Sequence, residues 1–236
     1  MPEFPGPPGE THHMSWVKAG ALAVIDDAKA KTHFFPNDTF KFLTSEQYLD
    51  QLHNLPWEGL HWDKKSCWLT KTPCTCKYKY NGRKKEGWKP TPFPPWLLKL
   101  TSDIEFFLDL PEWSLTGCNA NKYSAKSQNL NWHSDDEPMF RKSEIDRDTL
   151  IVSLSFGVSK GFAFRKKFAS EETPITLKHG DILVMTGLTQ DEYQHCVHAT
   201  SSDTASSSSS TTSPVTRFNI TWRLIRKHEP HCEMSN

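Results

Sequence analysis

The sequence predicts a single, mainly β domain of the sandwich or barrel type, preceded by helices. From Leu115 onward, short segments that alternate apolar and polar residues follow one another, separated by Gly, Pro, Lys or Ser. The chain has 236 residues, which is enough for one sizeable core. Its mean hydropathy is -0.63 and it has no apolar run near the roughly 18 residues of a membrane-spanning helix, so we expect no membrane partner.

The N-terminal part contains a tail and two predicted helices. Residues 1–14 are rich in proline and are expected to be disordered, which leaves residues 15–236 as the domain. Thr44-Ser-Glu-Gln47 has the pattern of a capping box, and leucines follow it at helical spacing before Pro56, which predicts an amphipathic helix. A second helix is predicted over about Trp96–Leu108.

The C-terminal half contains the predicted strands and one long loop. Alternation of apolar and polar residues predicts strands at Thr149–Gly157, Phe162–Phe168, Ile175–Leu177, Ile182–Met185 and Arg217–Ile225. Residues 201–213 contain eight Ser and three Thr, can bury almost nothing, and predict a flexible loop over about 200–214.

Three His-x-Asp pairs are candidates for a metal site: His61/Asp63, His133/Asp135 and His179/Asp181. Residues i and i+2 of a strand face the same side, so such a pair supplies two of the three ligands of a 2-His-1-carboxylate iron centre. His61/Asp63 has no strand around it, and His179-Gly-Asp181 looks like a tight turn. Only His133/Asp135 precedes a run of strands that includes a later His and a strand with two arginines.

That last strand has the sequence Arg217-Phe-Asn-Ile-Thr-Trp-Arg223. Its odd-numbered positions share one face, which therefore carries two guanidinium groups and the amide of Asn219. Buried cations require an anionic partner, and a dicarboxylate held by arginine forks would provide one. Iron ligands and a dicarboxylate clamp together predict a 2-oxoglutarate-dependent oxygenase.

These motifs resemble the AlkB family of Fe(II)/2-oxoglutarate-dependent dioxygenases, in particular its nucleic-acid-demethylating animal homologues. The resemblance covers about residues 40–228 and rests on strings in the family's order: LPWEG, NANKYSAKSQNLNWHSDDEPMF, SLSFG, HGD, YQH and RFNITWR. It implies a double-stranded β-helix (jelly-roll) core over about 115–227, N-terminal helices, and a nucleotide-recognition lid over about 64–92.

The resemblance also implies roles for individual residues. The iron ligands would be His133, Asp135 and His195, with His198 a competitor that must point to the other face of its strand. The residues that hold 2-oxoglutarate would be Asn121, Tyr123, Arg217, Asn219 and Arg223, with Arg217 on the distal carboxylate and Arg223 near Asp135. The residues that contact the substrate base would be Tyr78, Tyr80, Trp132, Asp136 and Glu137.

The implied activity is oxidative demethylation of N-alkylated bases in DNA or RNA, with release of formaldehyde and succinate and consumption of O2. The expected partner is single-stranded or flipped-out methylated nucleic acid, bound by an intracellular monomer in the nucleus, the cytoplasm or both. Two alternatives remain at this stage. One is an AlkB-like oxygenase that acts on a protein, lipid or small molecule, and the other is a catalytically silent binder of modified nucleic acid.

The charge distribution bears on that partner. The chain has 28 basic and 28 acidic residues, yet residues 64–99 contain ten Lys or Arg and one Glu. Aromatic residues interleave with these cations, which is typical of a surface that follows phosphates and stacks bases.

The six cysteines show no regular spacing and are expected to be free thiols. Cys74-Thr-Cys76 lies one residue short of a zinc knuckle. His228, His231 and Cys232 near the C-terminus could bind metal, but we expect their proximity in the sequence to be fortuitous.

Overall fold

The structure, a computed structural model, describes residues 15–17, 19–39, 47–59, 64–79, 87–123, 130–198 and 216–235. Five features predicted above lie wholly or partly outside these residues: the tail 1–14, the capping box (residues 44–46 of it), the pair His61/Asp63, the lid residue Tyr80 and the Ser-rich loop.

The elements in chain order are β1 (Leu22–Asp26), β2 (Ala30–Phe35), α1 (Gln47–His53), β3 (Glu58–Gly59), β4 (Lys64–Thr70), β5 (Thr91–Pro92), α2 (Pro95–Phe107), β6 (Gly117–Tyr123), β7 (Leu130–His133), β8 (Thr149–Gly157), β9 (Lys160–Lys166), β10 (Thr173–Leu177), β11 (Ile182–Gly187), α3 (Thr189–Glu192), β12 (Tyr193–His198) and β13 (Arg217–Arg223). Short 3-10 helices cover Asn37–Thr39 and Pro138–Phe140. Among the described residues there is no helix long and apolar enough to cross a membrane.

The strands form two sheets. The larger has nine strands in the order β1-β2-β11-β8-β13-β6-β4-β3, with β5 parallel to β4 at the side, and the smaller has four in the order β10-β9-β12-β7. Apart from the β4–β5 pair, neighbouring strands are antiparallel. The fold is the jelly-roll type that the sequence predicts.

The two faces of the large sheet pack against different partners. On β13 the even-numbered Phe218, Ile220 and Trp222 are buried in one core with Leu97, Leu100 and Ile104 of α2. A second core joins Ile151, Leu183 and Met185 of the large sheet to Phe162 and Phe164 of the small sheet. The odd-numbered residues of β13 therefore face the small sheet, as the period-2 pattern predicts. These odd-numbered residues, Arg217, Asn219, Thr221 and Arg223, form a polar strip on the face of the large sheet that is turned toward the small sheet.

Several predicted elements are confirmed with small shifts. The strand predicted at Thr149–Gly157 is β8 without change, and the helix predicted at about 96–108 is α2. Pro95 fits at the first position of α2. A backbone N–H group at that position has no hydrogen-bond partner within the helix, so the N–H that proline lacks is not missed. The helix predicted after the capping box is α1, whose described part begins at Gln47.

The first part of the predicted lid range lies inside the large sheet. Its first seven residues are β4, which pairs along its whole length with β6 inside the large sheet. Five successive residues of β4 are buried, on both faces of the strand, so its sequence lacks the alternation that identifies a half-buried strand. Only the part of the range after Thr70 lies outside this strand.

Candidate active site

The predicted iron ligands come together at one end of the small sheet. His133 ends β7, Asp135 follows two residues later, and His195 lies directly opposite His133 on the adjacent strand β12. One ligand atom from each of the three residues lies within 4.8 Å of the others. Asp135 and His195 are buried, and His133 is partly buried. Antiparallel register thus brings together His133 and His195, which are 62 positions apart in the sequence.

The protonation states of these groups suit metal binding. Burial favours the neutral form of Asp135, but the charge of Arg223, followed by His195 and His133, holds its pKa well below the usual value. Burial and the neighbouring His133 lower the pKa of His195 to about 3. At neutral pH the site therefore offers an anionic carboxylate and a neutral imidazole, which are the forms that ligate metals.

Nearby groups orient the ligands. Nδ1 of His133 lies 2.8 Å from the carbonyl oxygen of Asn131, so a proton on Nδ1 donates to that carbonyl and leaves Nε2 for a metal. The backbone N–H of Asp135 donates to Oε1 of Gln190 over 2.9 Å. Two imidazoles and one carboxylate, oriented in this way, match the donor set that binds Fe(II) in non-haem oxygenases.

The predicted co-substrate residues occupy the polar strip of the large sheet. Arg217, Asn219 and Arg223 are buried on β13, and register pairs Arg217 with Tyr123 and Asn219 with Asn121 on β6. Asn219 donates to Oγ of Ser153 over 2.9 Å, and Nη2 of Arg217 donates to Oγ of Ser155 over 3.2 Å. All five predicted residues thus lie on two adjacent strands.

Arg223 joins this strip to the iron ligands. Its Nη2 donates a hydrogen bond to Oδ2 of Asp135, and the guanidinium lies 5.1 Å from the centre of the Phe140 ring. Burial alone would lower the pKa of Arg223, but the charges of Asp135, Tyr78 and Glu137 raise it above its ordinary value. The guanidinium therefore stays charged and places a fixed cation beside the ligand set, as the sequence predicts.

Glu137 lies on the same side of the site, but Tyr78 does not have the role predicted for it. The Tyr78 hydroxyl donates to Oε1 of Glu137 over 2.6 Å, and its ring stacks on Trp68 with centroids 5.0 Å apart. Trp88 and Phe140 enclose the rest of the ring, and only 5% of Tyr78 is exposed. Tertiary packing covers the ring and directs only its hydroxyl to the site, so this structure exposes no ring face for the predicted stacking on a base.

Glu137 is a buried acid with free capacity to accept hydrogen bonds. Burial and the neighbouring charge of Asp135 raise its pKa to about 7. Among the described residues its Oε2 has no hydrogen-bond partner, although Oε1 accepts from Tyr78. A buried carboxyl oxygen of this kind is complementary to a donor or acceptor on a bound molecule.

Trp132 and Asp136 flank the ligands at the surface. The guanidinium of Arg165 on β9 lies 4.2 Å above the centre of the Trp132 ring, and Trp132 itself is half-buried. Asp136 is 3.7 Å from Arg141, which also pairs with Asp191 over 3.0 Å. Both predicted residues are accessible from outside, in contrast to Tyr78.

The other His-x-Asp pair within the described residues is structural. Asp181 accepts hydrogen bonds from the backbone N–H groups of Asn37 and Lys178, and Nδ1 of His179 accepts one from the N–H of Gly157. These bonds hold the turn that leads into β11, as the sequence predicts.

Sequence reasoning missed several groups that support the site. Gln190 of α3 and Arg165 of β9 belong to no motif that the sequence analysis used. Ser153 and Ser155 could have been found from the period-2 pattern of β8, because they alternate with the apolar residues that face α2.

The basic segment, residues 64–99, exposes fewer cations and aromatic rings for binding nucleic acid than its composition predicts. Lys71 is buried against Glu105 at 3.4 Å, and Lys99 pairs with Asp103 one helical turn away at 2.8 Å. Trp68 and Trp88 are 2% and 5% exposed, so they do not serve as stacking platforms for bases. Arg83, Lys84 and Lys85 lie outside the described residues.

Comparison with known proteins places these features in a family. A family model described as the 2OG-Fe(II) oxygenase superfamily matches residues 43–223. "Alpha-ketoglutarate-dependent dioxygenase alkB homolog 3" of Bos taurus is 36% identical over 118 residues, which are 45% of this chain and 38% of that protein. "DNA oxidative demethylase ALKBH2" of Arabidopsis thaliana is 27% identical over 169 residues, covering 62% of this chain and 48% of that protein. The chain therefore matches less than half the length of these relatives.

A solved structure has the same fold. The structure of OsALKBH1 superposes with a TM-score of 0.57 and 17% sequence identity, covering 84% of this chain and 98% of that chain.

Proposed function

We propose that this chain, which belongs to the 2OG-Fe(II) oxygenase superfamily, is an enzyme of the AlkB type that oxidatively demethylates N-alkylated bases in DNA or RNA. Members of this superfamily use Fe(II), 2-oxoglutarate and O2. The observation that carries the proposal is that an iron-ligand set and a buried two-arginine strip meet at the contact between Arg223 and Asp135.

His133, Asp135 and His195 would hold the iron, because they supply the two imidazoles and one carboxylate that such a site requires, with Asp135 anionic and His195 neutral. When bound, iron with 2-oxoglutarate and O2 would supply the oxidising chemistry, in which one oxygen atom converts the co-substrate to succinate and CO2 and the other leaves with the methyl carbon as formaldehyde. Arg217 and Arg223 would bind the two carboxylates of 2-oxoglutarate, since buried guanidinium groups form strong, directional hydrogen bonds with carboxylates.

Asn121, Tyr123 and Asn219 would orient the co-substrate from the same strip. They lie on β6 and β13 next to Arg217, so their hydrogen bonds would fix 2-oxoglutarate along its length. The aromatic rings of Phe162 and Phe164 pack near His195, with the Phe162 ring stacked on the imidazole at 5.3 Å. These apolar neighbours exclude water from that side of the site.

Glu137, Trp132 and Asp136 are the proposed substrate contacts. Oε2 of Glu137 is buried and available, so it would accept from an N–H group of the target base, while Tyr78 holds the other oxygen. Trp132, backed by Arg165, offers a stacking surface beside the ligands. A base must leave its stack to reach such a buried site, which favours single-stranded or flipped-out substrates. Tyr80 remains a proposed contact from the sequence alone.

Protein, lipid and small-molecule substrates are the alternative within the same chemistry. The test is a panel of methylated and unmethylated single- and double-stranded DNA and RNA oligonucleotides, with methylated peptides as a comparison, in which succinate and the mass of the oligonucleotide are both measured. We expect loss of one methyl group per succinate from a methylated oligonucleotide. Equal turnover with unrelated peptides, or no turnover with any oligonucleotide, would contradict the nucleic-acid proposal.

A further inference from the structure

A second cluster of metal-binding side chains lies on the side of the large sheet where β4 ends. It consists of Cys74 and Cys76, in the segment after β4, and His228 and Cys232, in the segment after β13. One ligand atom from each of the four residues lies within 4.8 Å of all the others. We call these residues the Cys3His cluster. None of them belongs to the iron-ligand set.

The distances from His228 to the three sulfur atoms fit a tetrahedral metal site. Nδ1 of His228 lies 3.6 Å from Sγ of Cys74, 3.4 Å from Sγ of Cys76 and 3.5 Å from Sγ of Cys232. A tetrahedron with zinc–sulfur bonds of about 2.3 Å and zinc–nitrogen bonds of about 2.05 Å places nitrogen and sulfur about 3.6 Å apart. One ring nitrogen cannot form three hydrogen bonds at once, whereas a shared ion accounts for three nearly equal distances.

The surroundings of the sulfur atoms also fit a metal centre. The backbone N–H of Glu229 donates to Sγ of Cys76 over 3.2 Å, and the N–H of Thr75 donates to Sγ of Cys232 over 3.4 Å. Such N–H groups stabilise thiolates and orient them toward an ion. The three cysteines are 0–6% exposed, which protects a bound ion from exchange with solvent.

We propose that Cys74, Cys76, His228 and Cys232 bind a structural zinc ion. Three thiolates and one imidazole are a closed, four-ligand set of the type that zinc adopts in structural sites, with no open position for a substrate. Binding releases the protons of the three thiols to solvent, so affinity for the metal rises with pH. The thiolates and the neutral imidazole leave the site with one negative charge.

The position of the cluster indicates what the zinc does. It ties the segment after β4 to the segment after β13, and a hydrogen bond of 3.1 Å from the N–H of Lys77 to Glu229 continues the same junction. The next residue is Tyr78, whose hydroxyl holds Glu137. Zinc would therefore fix the position of Tyr78 without taking part in the oxidation.

The sequence predicts free thiols here, and no disulfide links these cysteines in the structure. Each half of the cluster is a weak indication of a metal site by itself. Cys-x-Cys is one residue shorter than a zinc knuckle, and His-x3-Cys alone does not indicate metal binding. The fold joins halves that are 152 residues apart between Cys76 and His228.

The experiment measures metal in the full chain purified without chelator. Mass spectrometry of the metals gives the zinc content, and Co(II) substitution gives an absorption spectrum with intense thiolate-to-cobalt bands only where sulfur ligates the metal. We expect about one zinc per chain and these bands. Cys232→Ser should lower the zinc content more than fivefold and weaken the bands, whereas Cys67→Ser, another buried cysteine outside the cluster, should change neither.

Two further measurements keep the proposal testable if Cys232→Ser folds poorly. His133→Ala should leave zinc content and the thiolate bands unchanged, because it alters only the iron ligands. Removal of zinc from the wild-type chain should expose the cluster thiols to a thiol reagent and lower the melting temperature. Zinc below about 0.2 per chain together with absent thiolate bands, or bands that persist in Cys232→Ser and disappear in Cys67→Ser, would overturn it.

Discussion

Arg223 donates a hydrogen bond from Nη2 to Oδ2 of Asp135, across the space between the two sheets. Asp135 belongs to the iron-ligand set after β7 of the small sheet, and Arg223 ends the strand of the large sheet that carries the other co-substrate residues. The same contact that neutralises the buried carboxylate thus also fixes the distance between the proposed metal and the proposed 2-oxoglutarate site.

The iron-ligand set predicts a specific loss of metal binding. His195→Ala should abolish binding of Mn(II), which prefers nitrogen and oxygen ligands to thiolates and so avoids the Cys3His cluster. Titration followed by electron paramagnetic resonance measures this binding, with one Mn(II) per wild-type chain as the expected result. His179→Ala is the matched control, because its imidazole accepts a bond from Gly157 in a structural turn. Equal loss of Mn(II) in both variants would contradict the assignment.

The arginine strip predicts a selective effect on the co-substrate. Arg217→Gln should raise the KM for 2-oxoglutarate by about 10- to 100-fold, the equivalent of one lost hydrogen bond to a charged group of about 1.5–3 kcal/mol. Succinate formation at varied 2-oxoglutarate gives this value. Lys122→Gln is the control, since the Lys122 ammonium lies over the ring of Phe218, on the opposite face of the sheet. An unchanged KM in Arg217→Gln would exclude Arg217 from the co-substrate site.

The bond between Tyr78 and Glu137 predicts an effect on the substrate alone. Tyr78→Phe keeps the packing against Trp68 but removes the hydroxyl that holds Oε1 of Glu137. The KM for a methylated oligonucleotide should rise about tenfold, as expected for one buried hydrogen bond to a carboxyl group, while the KM for 2-oxoglutarate stays the same. Steady-state kinetics with each substrate varied in turn separates the two. A parallel rise in both constants would show that Tyr78 supports the whole site and not Glu137 in particular.

The buried pair of Lys71 and Glu105 predicts a strong coupling in stability. Burial raises the pKa of Glu105 even though Lys71 lies 3.4 Å away, so desolvation exceeds the attraction between the charges. Lys71→Met and Glu105→Gln should each lower the free energy of unfolding by about 3 kcal/mol, because each leaves one buried charge alone. The double variant should cost less than the sum, measured by urea denaturation. Strict additivity would show that the pair has no direct interaction.

Most residues of the candidate site can be identified from sequence motifs, because binding iron and a dicarboxylate requires particular residue types. His133, Asp135 and His195 come together, and Arg223 of β13 contacts Asp135. The sequence predicts these residues because ligand spacing and strand alternation are local properties. The environment of Tyr78 was not predictable in this way. Its burial depends on Trp68, Trp88 and Phe140, which come from three separate segments.

The fold was predictable where a strand has one polar face. Alternation of apolar and polar residues identifies β8 and β13 in the sequence, whereas it does not identify β1 and β2, and β4 lies in the range predicted as the lid. The Cys3His cluster shows the same limit. Its halves become informative only when the antiparallel β4, β6 and β13 bring the two segments together.

The central claim is that this chain removes N-methyl groups from nucleic-acid bases through the site formed by His133, Asp135 and His195. The most direct measurement incubates the Fe(II)-loaded chain with 2-oxoglutarate and a methylated single-stranded oligonucleotide and quantifies succinate and demethylated product together. We expect one demethylated base per succinate for the wild-type chain and no product for His133→Ala. Succinate and product at the wild-type rate in His133→Ala, or no demethylation of any methylated oligonucleotide by the wild-type chain, would contradict it.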